Sequence, residues 1–222
     1  MPDKKIIAIA GATGHQGGGL ARAILNDKNS EFAVRALTRD PNAGKARALR
    51  ELGAEVVQAD LHDESSVRRA FEGAYGAYCV TFFWAHMSPE KEFAEEMAMN
   101  DKNLAGIASE DIGKCAYGIF RRGPELAGKR IGLAGDQLTG EEMAEKFSKA
   151  FGRPVQYNPV PFDVLRGMGF PAAKEYGNMF QFYVEFEDVV AGTRDVEQSR
   201  KLNPELQNFD EWLSRNRAKF SV

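Results

Sequence analysis

The stretch Gly11-Ala12-Thr13-Gly14-His15-Gln16-Gly17 decides the fold class of this chain. It directly follows the apolar run Lys5–Ala10, which is typical of a buried parallel strand, and it opens a segment with apolar residues at helical spacing. In this context Gly11 permits a tight turn, Gly14 lets backbone amides approach a pyrophosphate, and Gly17 lets helix and strand pack closely. A bare GxxGxxG pattern also fits a plain glycine-rich turn, but the strand–turn–helix context favours a phosphate-binding loop. The candidate binding residues of this loop are Gly11, Thr13, Gly14, His15, Gln16 and Gly17.

Further strand and helix signals alternate along the first hundred residues. Apolar runs at 32–37, 55–59 and 75–83 predict three more strands, and segments 42–52 and 65–71 predict the helices between them. This βαβαβαβ order with short loops predicts an α/β fold built on a doubly wound parallel sheet.

The pattern changes after residue 83. Ser88 and Pro89 predict the start of a helix that runs to about Met99. Shorter signals beyond it predict a smaller C-terminal α/β subdomain, with strands expected at 104–108, 129–134 and 155–160 and helices at 109–120, 139–152, 162–167, 172–183 and 210–220. We therefore divide the chain into a dinucleotide-binding domain, residues 1–100, and a C-terminal portion, residues 101–222, that lines the substrate or partner side.

The composition is that of an ordinary globular protein. Of 222 residues 43% are hydrophobic and 27% charged, which excludes a disordered or collagen-like chain. With 29 Lys and Arg against 32 Asp and Glu, the net charge of −3 argues against nucleic acid as a direct ligand. Cys79 and Cys115 lie in apolar segments and the three histidines are scattered, so neither a disulfide framework nor a metal site is expected. No apolar run approaches the roughly 20 residues that span a bilayer, and we expect a cytoplasmic protein without membrane contact.

The end of the second predicted strand indicates which dinucleotide is bound. Arg39 comes 22 residues after Gly17, where an NAD site carries an acidic residue for the ribose hydroxyl. An arginine there pairs with a 2′-phosphate through two parallel hydrogen bonds, and Lys45 adds a second positive charge. The sequence therefore favours NADP(H). The alternative is that Arg39 is solvated and Asp40 binds the ribose of NAD(H).

Two further strand ends supply candidate binding residues. Asp60 and Leu61 end the third strand, where the carboxylate accepts from the adenine amino group and the leucine packs on the ring; the alternative is that Asp60 only caps the next turn. Thr81, Phe82 and Phe83 end the fourth strand at the topological switch point, where ligands of open sheets bind. Part of this aromatic run belongs to the core, and one or two rings are expected to cover the cofactor.

Together these residues resemble the NmrA-like family, an atypical branch of the short-chain dehydrogenase/reductase superfamily that includes HSCARG-like redox sensors. The resemblance covers both ends of the chain, in residues 11–17, 38–40, 60–61, 80–84, 110–113, 167–171, 178–183 and 202–213. It implies a Rossmann-type fold and NADP(H) binding through the glycine loop and Arg39. It also implies a redox sensor that acts on a regulatory protein partner, with a role in transcriptional regulation; a homodimer is left open.

The chain departs from the family between Asn100 and Asp101. In the family, the helix matching 88–99 is followed by a fifth strand, further helices and a sixth strand, whereas here Asn100 runs directly into Asp101. At about 30 residues per βα unit, roughly two units are missing. Either the chain is a deletion or splice form, or residues at this point are absent from the sequence.

Catalytic residues cannot be assigned from the sequence. Family members with reductase activity draw a catalytic lysine from the missing segment, and the superfamily often uses a Tyr-x-x-x-Lys pair. None of the six tyrosines of this chain is followed by lysine four positions later, so no proton donor for carbonyl reduction is visible. An NADP(H)-binding sensor is therefore the leading hypothesis, and an NAD(P)H-dependent reductase of quinones or other small carbonyl compounds is the alternative.

Overall fold

A computed structural model describes residues 4–61, 63–80 and 99–220. The predicted cofactor residues Thr81, Phe82 and Phe83 and most of the helix predicted at 88–99 lie outside the described residues. Two compact units follow from the packing, and they interleave along the chain. The first contains the described residues up to 80 together with Ser109–Lys129 and Lys201–Pro204, and the second contains the remaining described residues. The division at residue 100 stays a prediction about domains.

The first unit contains the predicted parallel sheet. Its strands are β1 (Lys5–Ala10), β2 (Phe32–Thr38), β3 (Glu55–Gln58) and β4 (Gly76–Tyr78), in the spatial order β3-β2-β1-β4. All three pairings are parallel, with Ile7 opposite Val34 on one side and Gly76 on the other. The connecting helices are α1 (His15–Asn26), α2 (Gly44–Glu51) and α3 (Glu64–Phe71). The α/β class and the doubly wound order predicted from the sequence are confirmed.

Alternation along β1 separates two apolar layers. Ile7 and Ile9 belong to a cluster that includes Leu20 and Ile24 of α1, whereas Ala8, between them, belongs to a second cluster with Ala70 of α3. Because neighbouring residues of a strand point to opposite faces, the sheet is covered by helices on both sides. This explains why β1 is apolar from Ile6 to Ala10 rather than alternating.

A later helix completes the first unit. α4 (Ser109–Arg122), followed by a short 3₁₀ helix (Gly123–Leu126), packs on α1 at backbone distance. A Cβ at Gly19 would lie 2.4 Å from the carbonyl oxygen of Glu110, and one at Gly113 would lie 2.3 Å from the carbonyl oxygen of Gln16. Only glycine fits at these two positions, so the α1–α4 contact fixes the orientation of α1 on the sheet.

The second unit is mostly helical. Its one described pair of strands is antiparallel, β5 (Leu104–Gly106) with β6 (Asp136–Leu138). The helices are α5 (Gly140–Phe151), α6 (Phe162–Arg166), α7 (Ala173–Glu185), α8 (Glu187–Gly192), α9 (Val196–Leu202), α10 (Phe209–Asn216) and a final 3₁₀ helix (Arg217–Lys219). The last two residues of α9 belong to the first unit. Thr139 forms a capping box with Glu142, and Gly152 ends α5 in the left-handed conformation.

Two predicted strands are wrong. Residues 129–134 and 155–160 contain no strand. Side chains, rather than a neighbouring strand, satisfy the backbone there: Ser199 Oγ accepts from the Ala134 N–H at 3.0 Å, and Ser148 Oγ accepts from the Val155 N–H at 2.8 Å. An apolar run becomes a strand only where a partner strand is available.

The junction at Asn100 forms a tight turn. The Lys102 N–H donates to the carbonyl oxygen of Met99 at 3.0 Å, and Asn100 has a φ of 53°. Met99 is buried with Leu165 and Phe180 in a core cluster of the second unit. The missing family segment at this point stays a prediction.

Candidate functional site

The glycine loop between β1 and α1 has the geometry that its sequence predicts. Gly11 has a φ of +73°, in the left-handed region that favours glycine, and its carbonyl oxygen accepts from the Gly14 N–H at 2.9 Å. A Cβ at Gly17 would lie 2.5 Å from that same oxygen. Gly11 therefore makes the turn, and Gly17 allows α1 to begin directly against it.

The first turn of α1 presents unused donors. Its N-cap, Gly14, has no side chain to accept a hydrogen bond, and no acidic residue lies in the first turn. Among the described residues, no acceptor pairs with the N–H groups of His15, Gln16 or Gly17. These N–H groups carry roughly half a positive charge at the helix start, so this end of α1 attracts an anion.

A cavity of about 200 Å³ adjoins this helix start, and we call it the glycine-loop cavity. Its walls include the loop, the exposed side of α1 and α2, with lining residues Thr13, Gly14, His15, Arg22, Lys45 and Leu49. Arg22 and Lys45 are exposed and form no ion pair with any residue that the structure describes. Both add positive charge to the field of the helix start.

Arg22 was not predicted as a site residue. It lies seven residues after His15, two helical turns along the same face of α1, so helical spacing alone could have placed it beside the loop. Its Nη1 atom would lie 3.0 Å from a Cβ at Gly18. In the run Gly17–Gly19, Gly19 thus allows α1 to pack closely on α4, and Gly18 leaves room for the Arg22 guanidinium.

The residues after β2 are exposed at the carboxyl edge of the sheet. The Arg39 carbonyl oxygen accepts from Gln58 Nε2 at 3.2 Å, and its guanidinium makes no hydrogen bond or ion pair within the described ranges. Asp40 uses one carboxylate oxygen to accept from the Asn42 N–H at 2.9 Å. Because the Asp40 carboxylate already accepts a hydrogen bond in this turn, we expect Arg39 rather than Asp40 to contact a substituent of the ribose.

The residues after β3 are also exposed. Leu61 is 47% exposed, and the Asp60 N–H donates to Ser66 Oγ at 3.1 Å. The N-cap of α3 is Asp63, whose carboxylate accepts from the Ser65 N–H at 2.9 Å. The Asp60 carbonyl oxygen accepts from the Asp63 N–H in the turn before α3, and both roles considered for the Asp60 side chain, adenine contact or turn cap, stay predictions.

Tyr78 lies at the switch point between β1 and β4. Its hydroxyl donates to Gln16 Oε1 at 3.4 Å, which joins β4 to the first turn of α1. Burial raises the pKa of the Tyr78 hydroxyl, so it stays protonated at neutral pH. Tyr78 was predicted only as part of the fourth strand, because its approach to the loop depends on the register of β4 beside β1.

The described side chains set further bounds on the chemistry. Within residues 4–61, 63–80 and 99–220, no group of three or more His, Cys, Asp or Glu residues is placed to hold a metal ion. No helix in the same ranges is both long and apolar enough to cross a membrane. The arrangement consists of unused amide donors, exposed cations and a shallow cavity.

Comparison with known proteins identifies the family. The model of the NmrA-like family matches residues 3–98 and 83–213. The chain belongs to the NmrA-like family. An NmrA-like family domain-containing oxidoreductase from Aspergillus hancockii is 51% identical over 162 residues, covering 71% of this chain and 45% of that protein. One from Cladobotryum sp is 48% identical over 162 residues, covering 70% and 45%. This NmrA-like chain thus spans about half the length of the curated relatives it matches.

Solved structures of the same fold include proteins with different activities. NmrA, a negative transcriptional regulator, aligns with a TM-score of 0.70 at 18% identity, covering 95% of this chain and 94% of that chain; it has been solved with NADP and with NAD. The NADPH-dependent quinone oxidoreductase QOR2 from Escherichia coli aligns with a TM-score of 0.69 at 21% identity, covering 94% and 98%. At these identities the likeness establishes the Rossmann-type NmrA-like fold alone.

Proposed function

We propose that this chain binds NADP(H) at the glycine loop and uses the bound cofactor to control a protein partner. The observation that carries the proposal is the first turn of α1, whose three N–H groups find no acceptor among the described residues beside Arg22 and Lys45. A pyrophosphate supplies the missing acceptors and the negative charge. Gly11, Thr13, Gly14, His15, Gln16 and Gly17 would form its cradle.

The preference for NADP(H) over NAD(H) rests on Arg39. Its guanidinium is exposed at the carboxyl end of β2 and is not engaged by any described residue. A 2′-phosphate would pair with it, and Lys45 at the cavity wall would add a second cation. In the proposed complex Asp60 and Leu61 contact the adenine, and Thr81, Phe82 and Phe83 lie on the nicotinamide side.

The sensing role that we propose uses the cofactor rather than the buried thiol of Cys115. Burial raises the pKa of Cys115 to about 12, with the nearby Asp111 adding to the shift, so this thiol is protonated and unreactive. Redox state would then be read as the ratio of NADPH to NADP, and a regulatory protein in the cytoplasm would receive the signal. NmrA, a negative transcriptional regulator, supports this proposal as a protein of the same fold.

A second candidate function is reduction of a quinone or another small carbonyl compound. The names of the fungal relatives, which call them oxidoreductases, favour it, as does the fold shared with an NADPH-dependent quinone oxidoreductase. The lack of a Tyr-x-x-x-Lys pair in the sequence favours the sensor. The presence of a proton donor for carbonyl reduction is the feature that would distinguish the reductase from the sensor.

The test is a titration followed by a turnover assay. We expect NADPH to bind more tightly than NADH by calorimetry, with no loss of NADPH absorbance when a panel of quinones is added. Consumption of NADPH with any quinone would replace the sensor with the reductase. Absence of binding by both cofactors would overturn the proposed function altogether.

A further inference from the structure

We propose that the second unit contains a separate binding site for a planar aromatic phosphate, in a cavity formed by the end of α5 and the C-terminal residues. This C-terminal cavity has a volume of about 440 Å³, within the range of small-molecule pockets. It is lined by Phe151, Phe220 and three arginines, Arg153, Arg215 and Arg217. No acidic side chain is among its lining residues.

The three arginines are not engaged elsewhere. None of their guanidinium groups forms an ion pair or hydrogen bond with a residue that the structure describes. Other cations of the same unit do: Lys146 contacts Asp210 at 2.5 Å and Arg166 contacts Asp163 at 2.7 Å. The cavity therefore brings together three guanidinium groups that no described side chain pairs.

The C-terminal ends of two helices offset only part of the positive charge of the three arginines. α5 ends at Phe151 and α10 ends at Asn216, and each C-terminus carries about half a negative charge. Three guanidinium groups against two such ends leave a net charge of about +2. A phosphate monoester carries about −1.5 to −2 at neutral pH, which matches this surplus, whereas a carboxylate would neutralise only half of it.

The aromatic side chains of the cavity form a wall that favours a planar ring as the second part of the ligand. The rings of Phe151 and Phe220 meet edge to face with centroids 5.4 Å apart. Behind them, Phe147 stacks on Phe151 at 5.7 Å and Trp212 packs against Phe220 at 6.0 Å. This wall is backed on both sides and offers a planar ring an apolar surface beside the arginines.

The experiment is a calorimetric titration of the whole chain with 1-naphthyl phosphate, in the absence and presence of saturating NADPH. We expect binding with the same affinity in both, because the ligand does not use the glycine loop. Replacing Arg215→Gln and Arg217→Gln together should weaken binding about tenfold or more, and Arg215→Lys with Arg217→Lys should retain it within about threefold. The neutral analogue 1-naphthol should bind at least about tenfold more weakly than the phosphate.

The matched control is the double variant Arg130→Gln with Lys174→Gln, which removes two exposed cations of the same unit outside the cavity. It should bind the phosphate as the wild type does. Equal affinity of wild type and the Arg215/Arg217 glutamine variant, an equal loss in the control, tight binding of 1-naphthol, or displacement by NADPH would each overturn the site. If the double variant does not fold, Arg153→Gln, in the loop after α5, provides the same test. A failure of NADPH to bind would leave this result unaffected and would count only against the proposed function.

Discussion

The glycine-loop cavity and the C-terminal cavity both carry exposed cations, but they place them at opposite ends of helices. Lys45 and Arg22 surround the start of α1, where the helix field is positive and adds to their charge. Arg215 and Arg217 lie at the end of α10, where the helix field is negative and offsets part of theirs. The first cavity can hold an anion mainly through backbone N–H groups, whereas the second depends on its side chains.

This difference predicts how each cavity responds to mutation. Where backbone donors bind the ligand, changes of backbone access should matter most and single cations should only adjust affinity and specificity. Where side chains bind it, loss of two cations should weaken binding about tenfold or more, while changes of backbone access should matter little. Four experiments on the first unit follow: three measure how mutation changes cofactor binding, and one measures how firmly α1 is held.

The largest expected effect follows Gly14→Val. A Cβ at Gly14 would lie 3.2 Å from the Gly11 carbonyl oxygen, a tight contact with the backbone, and the branched side chain would cover the N–H groups of α1. Loss of two hydrogen bonds to a charged pyrophosphate, at about 1.5–3 kcal/mol each, should weaken NADPH binding at least about 100-fold. Calorimetry measures this, and Gly106→Val, which meets no atom within 4 Å, is the control. Undiminished affinity in a folded Gly14 variant would contradict the phosphate role of the loop.

A smaller and selective loss is expected from Arg39→Ala. Its guanidinium would contact only the 2′-phosphate, so NADPH affinity should fall about 10- to 100-fold while NADH affinity is unchanged. Arg47→Ala, which removes another exposed arginine of the same unit, should change neither. If the two cofactors weaken equally, the 2′-phosphate is not read by Arg39.

The third experiment tests how firmly α1 is held. The Tyr117 hydroxyl of α4 donates to Asp27 Oδ2 at 2.6 Å, at the C-terminal end of α1, and this bond lowers the pKa of Asp27 below 3.8. Tyr117→Phe should lower the free energy of unfolding by about 1 kcal/mol near neutral pH. Tyr75→Phe, a half-exposed tyrosine of the same unit, should cost less.

The pH dependence of unfolding shows whether the Tyr117–Asp27 hydrogen bond stabilises the fold through the charge of Asp27. A carboxyl whose pKa is depressed in the folded protein stabilises the fold above its unfolded pKa, and the stabilisation is lost as pH falls through the folded value. The difference between wild type and Tyr117→Phe in denaturant titrations should therefore narrow below about pH 4. A difference that stays constant down to acid unfolding would mean that the bond does not depend on the charge of Asp27.

The smallest effect is expected from Lys45→Gln. This exposed cation acts through solvent, where pairing contributes little, so NADPH affinity should fall only about two- to threefold. The difference should shrink further when sodium chloride is raised, because salt screens exposed charges. Lys28→Gln is the matched control, and a loss as large as that of Arg39→Ala would show that Lys45 contacts the phosphate directly.

Sequence reasoning succeeded where local pattern and fold agree. The run Lys5–Ala10 and the glycines after it predict β1, the turn and α1, because the turn chemistry and the close packing at Gly17 are both local to that stretch. The caps Asp63 of α3 and Thr139 of α5 likewise depend only on residues at the start of their own helices. These features need no knowledge of distant residues.

It failed where the outcome depends on distant partners. The runs at 129–134 and 155–160 resemble strands, but the Ala134 and Val155 amides are bonded by serine hydroxyls. In the site, the cavity brings Arg22 of α1 together with Lys45 of α2, and Tyr78 reaches Gln16 only through the register of β4. Neither of these arrangements can be predicted from a single segment of the chain.

The interleaved order of the first unit has a consequence for biosynthesis. The described strands of its sheet end at Tyr78, whereas α4 is translated later and residues Lys201–Pro204 later still. At about 5–20 residues per second, the sheet would wait about 6–25 s on the ribosome for those last residues. During that time the face of α1 that α4 covers, including Gly19, is open to chaperones. Arrest peptides placed at increasing distances after residue 122 should report a pulling force only once α4 has left the exit tunnel.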